Sequence, residues 1–249
     1  CRCNRIGLPQ KLCHHKISKI SSLSNENVSQ LVKEVADKER SSESHAINAL
    51  KLAMLTFDQR LFSNTFRELI KTKTFKEAFY DAFVPLLNEI GLLWQTDTIT
   101  PAHEHFISTR IKQKILLNME KSLDVPVNDC KKTFVFFLPE NEIHDIGLLF
   151  VNYELVSRGY QTLFLGQSIP TESLKDLLKF YDDITFVSYF TVKPEKEDIV
   201  NYLEEFQNLL LTNNNELWIL GYMLESLDIN NLPKKIKAFL SIEDLVNKL

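Results

Sequence analysis

The chain has 249 residues, 44% of them hydrophobic and 25% charged, with a formal net charge of −4. That length holds one large domain or two smaller ones. No apolar run reaches transmembrane length, nothing at the start resembles a signal peptide, and the charge gives no general affinity for nucleic acid. A cytoplasmic location without membrane association is therefore expected. With only six glycines and no phosphate-cradling loop, a nucleotide enzyme is disfavoured. The four cysteines suit neither a disulfide framework nor a zinc ribbon. Cys1, Cys3, Cys13, His14 and His15 are too irregularly spaced for a metal cluster and are taken as incidental.

Residues 1–42 form the first expected unit. Lys16 to Glu26 carries apolar residues at helical spacing, and Ser24 is a candidate N-cap for a helix over Glu26 to Val35. Ser41 to Ser44 is a polar break. Four helical patterns follow, over residues 43–123. Ala46 to Thr56 places Ile47, Leu50, Met54 and Leu55 on one side. Asp58 to Lys71 does the same with Leu61, Phe62, Phe66, Leu69 and Ile70. Thr74 and Glu77 have capping-box spacing at the start of a helix running to about Trp94, with Phe75, Phe79, Phe83, Leu86, Leu87 and Ile90 inward. Pro101 suits the first turn of the fourth helix, to about Leu123. Four amphipathic helices with short connections predict an antiparallel bundle.

Asp124 to Cys130 reads as a linker, after which the period changes. Apolar strands are expected at Thr133–Leu138, Gln161–Leu165, Ile184–Ser188, Glu216–Leu220 and Ala238–Leu240. Helices are expected at Asp145–Arg158, ended by Gly159, and at Thr171–Phe180, Lys196–Leu211 and Ile242–Leu249. The alternation over residues 131–249 predicts a five-stranded parallel sheet with helices on both faces. The fold expected for the whole chain is α + α/β: a four-helix bundle, then a flavodoxin-like (Rossmann-type) domain.

Glu142, Ile143, His144, Asp145, Ile146 and Gly147 lie where the first strand hands over to a helix. In open α/β sheets that edge binds ligands. An imidazole there is a good donor to a transition metal, and a carboxylate two residues away can hold its other ring nitrogen. The pattern Glu/Asp-x-His-x-x-Gly resembles the cobalamin-binding motif. Upstream, Trp94, nine intervening residues, then Glu104 and His105 resemble the helical half of the same module in the light-sensing, cobalamin-dependent repressors of the MerR family. The resemblance covers most of the chain, from about Glu43. Lys16 to Glu26 resembles the tail of a MerR winged-helix domain lacking its recognition helix and wing; an unrelated helical arm is the alternative for residues 1–42.

The resemblance implies bound cobalamin, as adenosylcobalamin or methylcobalamin, with His144 as lower ligand of cobalt and Glu142 behind it. Gly147 would leave room for the ring. Ser188 and Gly221 would mark the channel for the nucleotide tail, and Trp94, Glu104 and His105 would lie at the upper face. The segment Leu165 to Pro170 resembles the family's Leu-Gly-x-x-Val-Pro. Two positions depart from the pattern. Tyr222 replaces a second glycine, and either fills part of the tail channel or points to solvent. Gln95 stands where the light sensors commonly carry a second histidine, and glutamine is a poor cobalt ligand; His103 or His105 is the available substitute. The implied function is a cobalamin-binding sensor region of a transcriptional regulator and not an enzyme. It would assemble as a homo-oligomer, dimer or tetramer, and reach DNA only through a winged-helix region largely absent here. The alternatives are a corrinoid methyl-carrier protein of a methyltransferase system, and a regulator domain that has lost cobalamin and serves only protein association.

Overall fold

A computed structural model describes residues 44–95, 98–122, 126 and 129–249. The expected helix at Glu26–Val35, the terminal cysteines and most of the linker lie outside the described residues. Contacts divide the chain into two compact units between Glu104 and His105.

The first unit is helical. Helix α1 covers residues 44–55 and α2 covers Gln59–Leu69. Asp58 caps α2 by accepting from the amides of Arg60 and Leu61. Helix α3 (Phe75–Ala78) begins with the capping box expected of Thr74 and Glu77: each side chain satisfies the other's backbone amide. It continues through a π-helical segment, Phe79–Phe83, into α4 (Val84–Gln95). Leu50, Phe62, Phe66, Phe79, Phe83, Leu86 and Ile90 are buried, and the rings of Phe62 and Phe66 lie 6.1 and 5.8 Å from that of Phe83. Most phenylalanines here are core, as their spacing predicts. Leu55 and Ile70 are exposed, at the margin of their helices' apolar stripes. Helix α5 (Pro101–Glu120) starts in the first unit and carries the buried Ile107, Ile111 and Ile115 in the second.

The second unit is a parallel five-stranded sheet. Its strands are β1 (Asp129–Phe137), β2 (Tyr160–Gly166), β3 (Asp183–Tyr189), β4 (Glu216–Leu220) and β5 (Ile236–Ala238), in the order β2-β1-β3-β4-β5. All four pairings are parallel, as the alternation of strands and helices predicts. Strand β5 starts two residues before the expected Ala238. Buried Ile236 pairs with Leu217, whereas Leu240 is 76% exposed. Helices α6 (Ile146–Val156) and α8 (Ile242–Val246) cover one face, packing on Phe134, Phe136, Val187 and Trp218. Helix α7 (Ile199–Leu210) covers the other, with Phe137, Phe186 and Ile219. The expected helix Thr171–Phe180 is a 3-10 helix, Thr171–Lys179, lying on the α7 face through Leu174. Among the described residues, no helix is long and apolar enough to cross a membrane.

Candidate functional site

The loop between β1 and α6 carries His144 at the carboxyl edge of the sheet, at the switch point where β2 and β3 flank β1. Its side chain is 48% exposed, whereas that of Glu142 is 1% exposed. The Glu142 carboxylate is held on both oxygens. Oε1 accepts from the amides of Ile143 (2.8 Å) and His144 (3.0 Å) and lies 2.6 Å from His144 Nδ1. Oε2 accepts from three successive amides beyond β3: Thr191 (3.2 Å), Val192 (2.6 Å) and Lys193 (2.8 Å).

Burial alone would push this carboxyl up. The His144 bond and the amides of Lys193, Val192 and His144 outweigh burial and bring it from 4.5 down to about 2. Glu142 is thus a buried anion at neutral pH. An ionised carboxylate only accepts, so the His144 contact requires a proton on Nδ1, and in a neutral ring Nε2 then carries the lone pair that a metal takes.

The loop is secured from two sides. Gln167 donates to the Ile143 carbonyl (2.9 Å) and the Asp145 carboxylate (2.8 Å). Ser168 Oγ accepts from the Asn141 amide and its own amide donates to Glu142 O. The segment Leu165 to Pro170 is therefore an anchor for the histidine loop as well as a turn. Asp145 precedes α6 without capping it through its side chain, and instead pairs with Lys112 Nζ at 2.5 Å. The sequence marks the segment that carries Gln167 but not that side chain's role, and it does not mark Lys112 or the amides of 191–193. Backbone donors leave no trace in residue identity, and nothing local marks Lys112 as a partner of Asp145.

Around His144 the loops following β1, β3 and β4 expose apolar side chains: Ile143 (56%), Val192 (45%) and Tyr222 (59%). Tyr222 therefore points to solvent, the second of the two expectations for it. Gly221, with φ +116°, packs against the backbone of Phe190, and a Cβ there would fall 2.3 Å from Phe190 O. Only glycine fits.

Gly147 has a neighbour that the sequence did not indicate. A methyl group there would fall 2.8 Å from Tyr189 Cε2 and 2.9 Å from Cζ, so the ring of Tyr189 lies against the first turn of α6. Ser188 is buried and its Oγ has no hydrogen-bond partner among the described residues. Strand alternation sets it on the α7 face with Phe186 and Phe190, opposite Tyr189 and Gly147. Ser188 and Gly147 thus share the sheet's edge but not one face.

Trp94 and Glu104 belong to the first compact unit and His105 opens the second, exposed on α5. His103 Nδ1 accepts from the Thr100 amide (3.1 Å) and its ring stacks on Phe57 at 4.6 Å, so it is engaged at the start of α5. A cavity of about 450 Å³ opens on the α7 side of the edge, lined by Glu140, Thr171, Lys193, Asp198 and Tyr202 among others. His144 is not among its walls.

As a seat for a metal-bearing macrocycle the His144 side fits. It offers an exposed imidazole oriented by a buried anion, within an apolar rim that suits a large flat ring. On the same side the Tyr189 ring lies against Gly147, so a nucleotide tail passing between α6 and the end of β3 would meet that ring.

Residues 46–117 match the B12 binding domain family. Over 122 residues the chain is 28% identical to the HTH-type transcriptional repressor CarH of Myxococcus xanthus, covering 49% of this chain. The matched part spans 40% of that protein's length. A monomethylamine corrinoid protein of Methanosarcina barkeri has the same fold, with a TM-score of 0.62 at 12% identity over 82% of this chain and 97% of that one.

Proposed function

We propose that this chain is a cobalamin-binding sensor region of a MerR-type transcriptional regulator. The observation that carries the reading is the Glu142–His144 pair: an exposed imidazole, at a ligand-binding sheet edge, whose Nδ1 is held by a buried carboxylate at 2.6 Å. His144 would hold cobalt through Nε2. Glu142 fixes the ring's tautomer and orientation. The exposed apolar side chains of Ile143, Val192 and Tyr222 would shelter the lower side of a corrin ring from water. For Trp94, Glu104 and His105, a role at the upper face would rest on the family resemblance alone. When bound, adenosylcobalamin supplies a photolabile cobalt–carbon bond.

The role is one of binding. Differential affinity for two assembly states, through a shift in association, would control an attached DNA-binding region. The match to a repressor over half the chain supports the regulator over the methyl carrier, since the likeness to the corrinoid protein is one of fold.

The test is an absorption titration with adenosylcobalamin in the dark, for the wild type and His144→Ala. The wild-type spectrum should change as the ligand's own base leaves cobalt. The variant should bind at least about tenfold more weakly, the lower bound for disturbing a metal ligand's surroundings. Equal affinity and an unchanged spectrum for the variant would overturn the assignment.

A further inference from the structure

The slot beside Gly147 has a consequence for which corrinoid this chain accepts, given the reading that His144 binds cobalt. Cobalamin carries its nucleotide tail on its lower face, the face that His144 would meet. Once an imidazole takes the lower position, the displaced base and its tail must descend past the strand ends. The resemblance marks the tail channel by Gly221 and the strand end at Ser188; since Ser188 itself faces α7, a descent on the α6 side of that end would run past Gly147, which has no side chain in the first turn of that helix. Tyr189 closes it: its ring lies where even a methyl group at 147 would be 2.8 Å away, and it packs with the apolar cluster beneath α6. The neighbouring strand end offers no relief, because Gly221 already touches the Phe190 backbone. Tyr222 is 59% exposed and does not enter the slot.

We propose that Tyr189 is the specificity-determining residue of the lower face. Its ring plugs the tail slot, so that a corrinoid without a nucleotide tail seats on His144 directly, while a tailed one must first displace the ring. The plug thus disfavours tailed corrinoids relative to tail-less ones.

Absorption titrations of the full chain with aquocobalamin and with diaquocobinamide, which lacks the nucleotide, test this. Cobalamin must release its own base in every variant, so that contribution cancels when affinity ratios are compared between variants. Tyr189→Ala should shift the cobinamide-to-cobalamin preference by at least tenfold towards cobalamin. Tyr189→Phe, which keeps the ring, should leave the preference unchanged. Tyr189→Val, whose branched side chain suits a strand, provides a second opened slot should the alanine variant fold poorly. Unshifted preference in both opened variants, with cobinamide binding weakened at least about tenfold by His144→Ala, would overturn the plug while leaving the corrinoid reading intact. No spectral response to either corrinoid in any variant would overturn both.

Discussion

Glu142 accepts six contacts through two oxygens, five from backbone amides and one from the imidazole. It therefore ties the histidine loop to the loop beyond β3 while orienting His144. Its pKa is lowered from 4.5 to about 2, so its contribution to stability is fully present above pH 4.5 and is lost as the pH falls towards 2. A displacement of that size corresponds to about 3 kcal/mol. Denaturant unfolding between pH 6 and 2.5 should show this loss in the wild type, and Glu142→Gln should flatten it. Glutamine keeps one accepting oxygen and turns donors toward donors at the other position, so the variant should also be less stable at neutral pH. Its corrinoid affinity should fall about 10- to 100-fold, as expected for the outer partner of a metal ligand. A wild-type-like pH profile for the variant would assign the acid sensitivity to other groups.

At the scale of elements, the site depends on how strand ends meet. Phe190 donates to Leu220 O, and Met223 donates to Phe190 O, so the loops after β3 and β4 are laced across Gly221. Gly221→Ala combines a disallowed φ of +116° with a Cβ 2.3 Å from a carbonyl oxygen. It should destabilise the α/β unit by about 3 kcal/mol or more, since neither neighbour is a flexible side chain. Thermal unfolding followed by circular dichroism would register this, and an unchanged midpoint would mean that the two strand ends separate at little cost. The start of α6 depends on tertiary partners in a different way. Asp145 caps nothing through its side chain, and Lys112 and Gln167 hold it. By contrast, α2 and α3 begin with side-chain caps drawn from their own sequence, each worth about 1 kcal/mol.

For the whole molecule, the proposed sensor needs two states that the ligand distinguishes, and subunit association is the simplest readout for a binding role. Sedimentation velocity at several concentrations, with and without adenosylcobalamin in the dark, should show a shift between smaller and larger species. The shift should vanish in His144→Ala, because a ligand acts on assembly only through its differential affinity for the states. Identical profiles with and without ligand would count against the regulatory role without touching the binding site.

The architecture was legible because it is a matter of period. Apolar residues spaced for helices up to α5, then short apolar runs alternating with helices, leave few alternatives to a helical segment followed by a parallel sheet. The Thr74 capping box was legible for the same reason: both partners lie within four residues of one another. The Glu142–His144 pair was also visible, being two residues apart. Their cage was not. The amides of 191–193 reach Glu142 across about 50 positions of chain, and every residue except proline offers the same donor. The state of the slot was likewise undecided. Tyr222, suspect in the sequence because it replaces a glycine, turns outward, while Tyr189, unremarkable between Ser188 and Phe190, turns in against Gly147. Sequence determined which residues stand at the sheet's edge. Only the packing of α6 on β3 decided which of them fills it, because the direction of a side chain at a strand end follows from pleat and register, which neighbours in space impose.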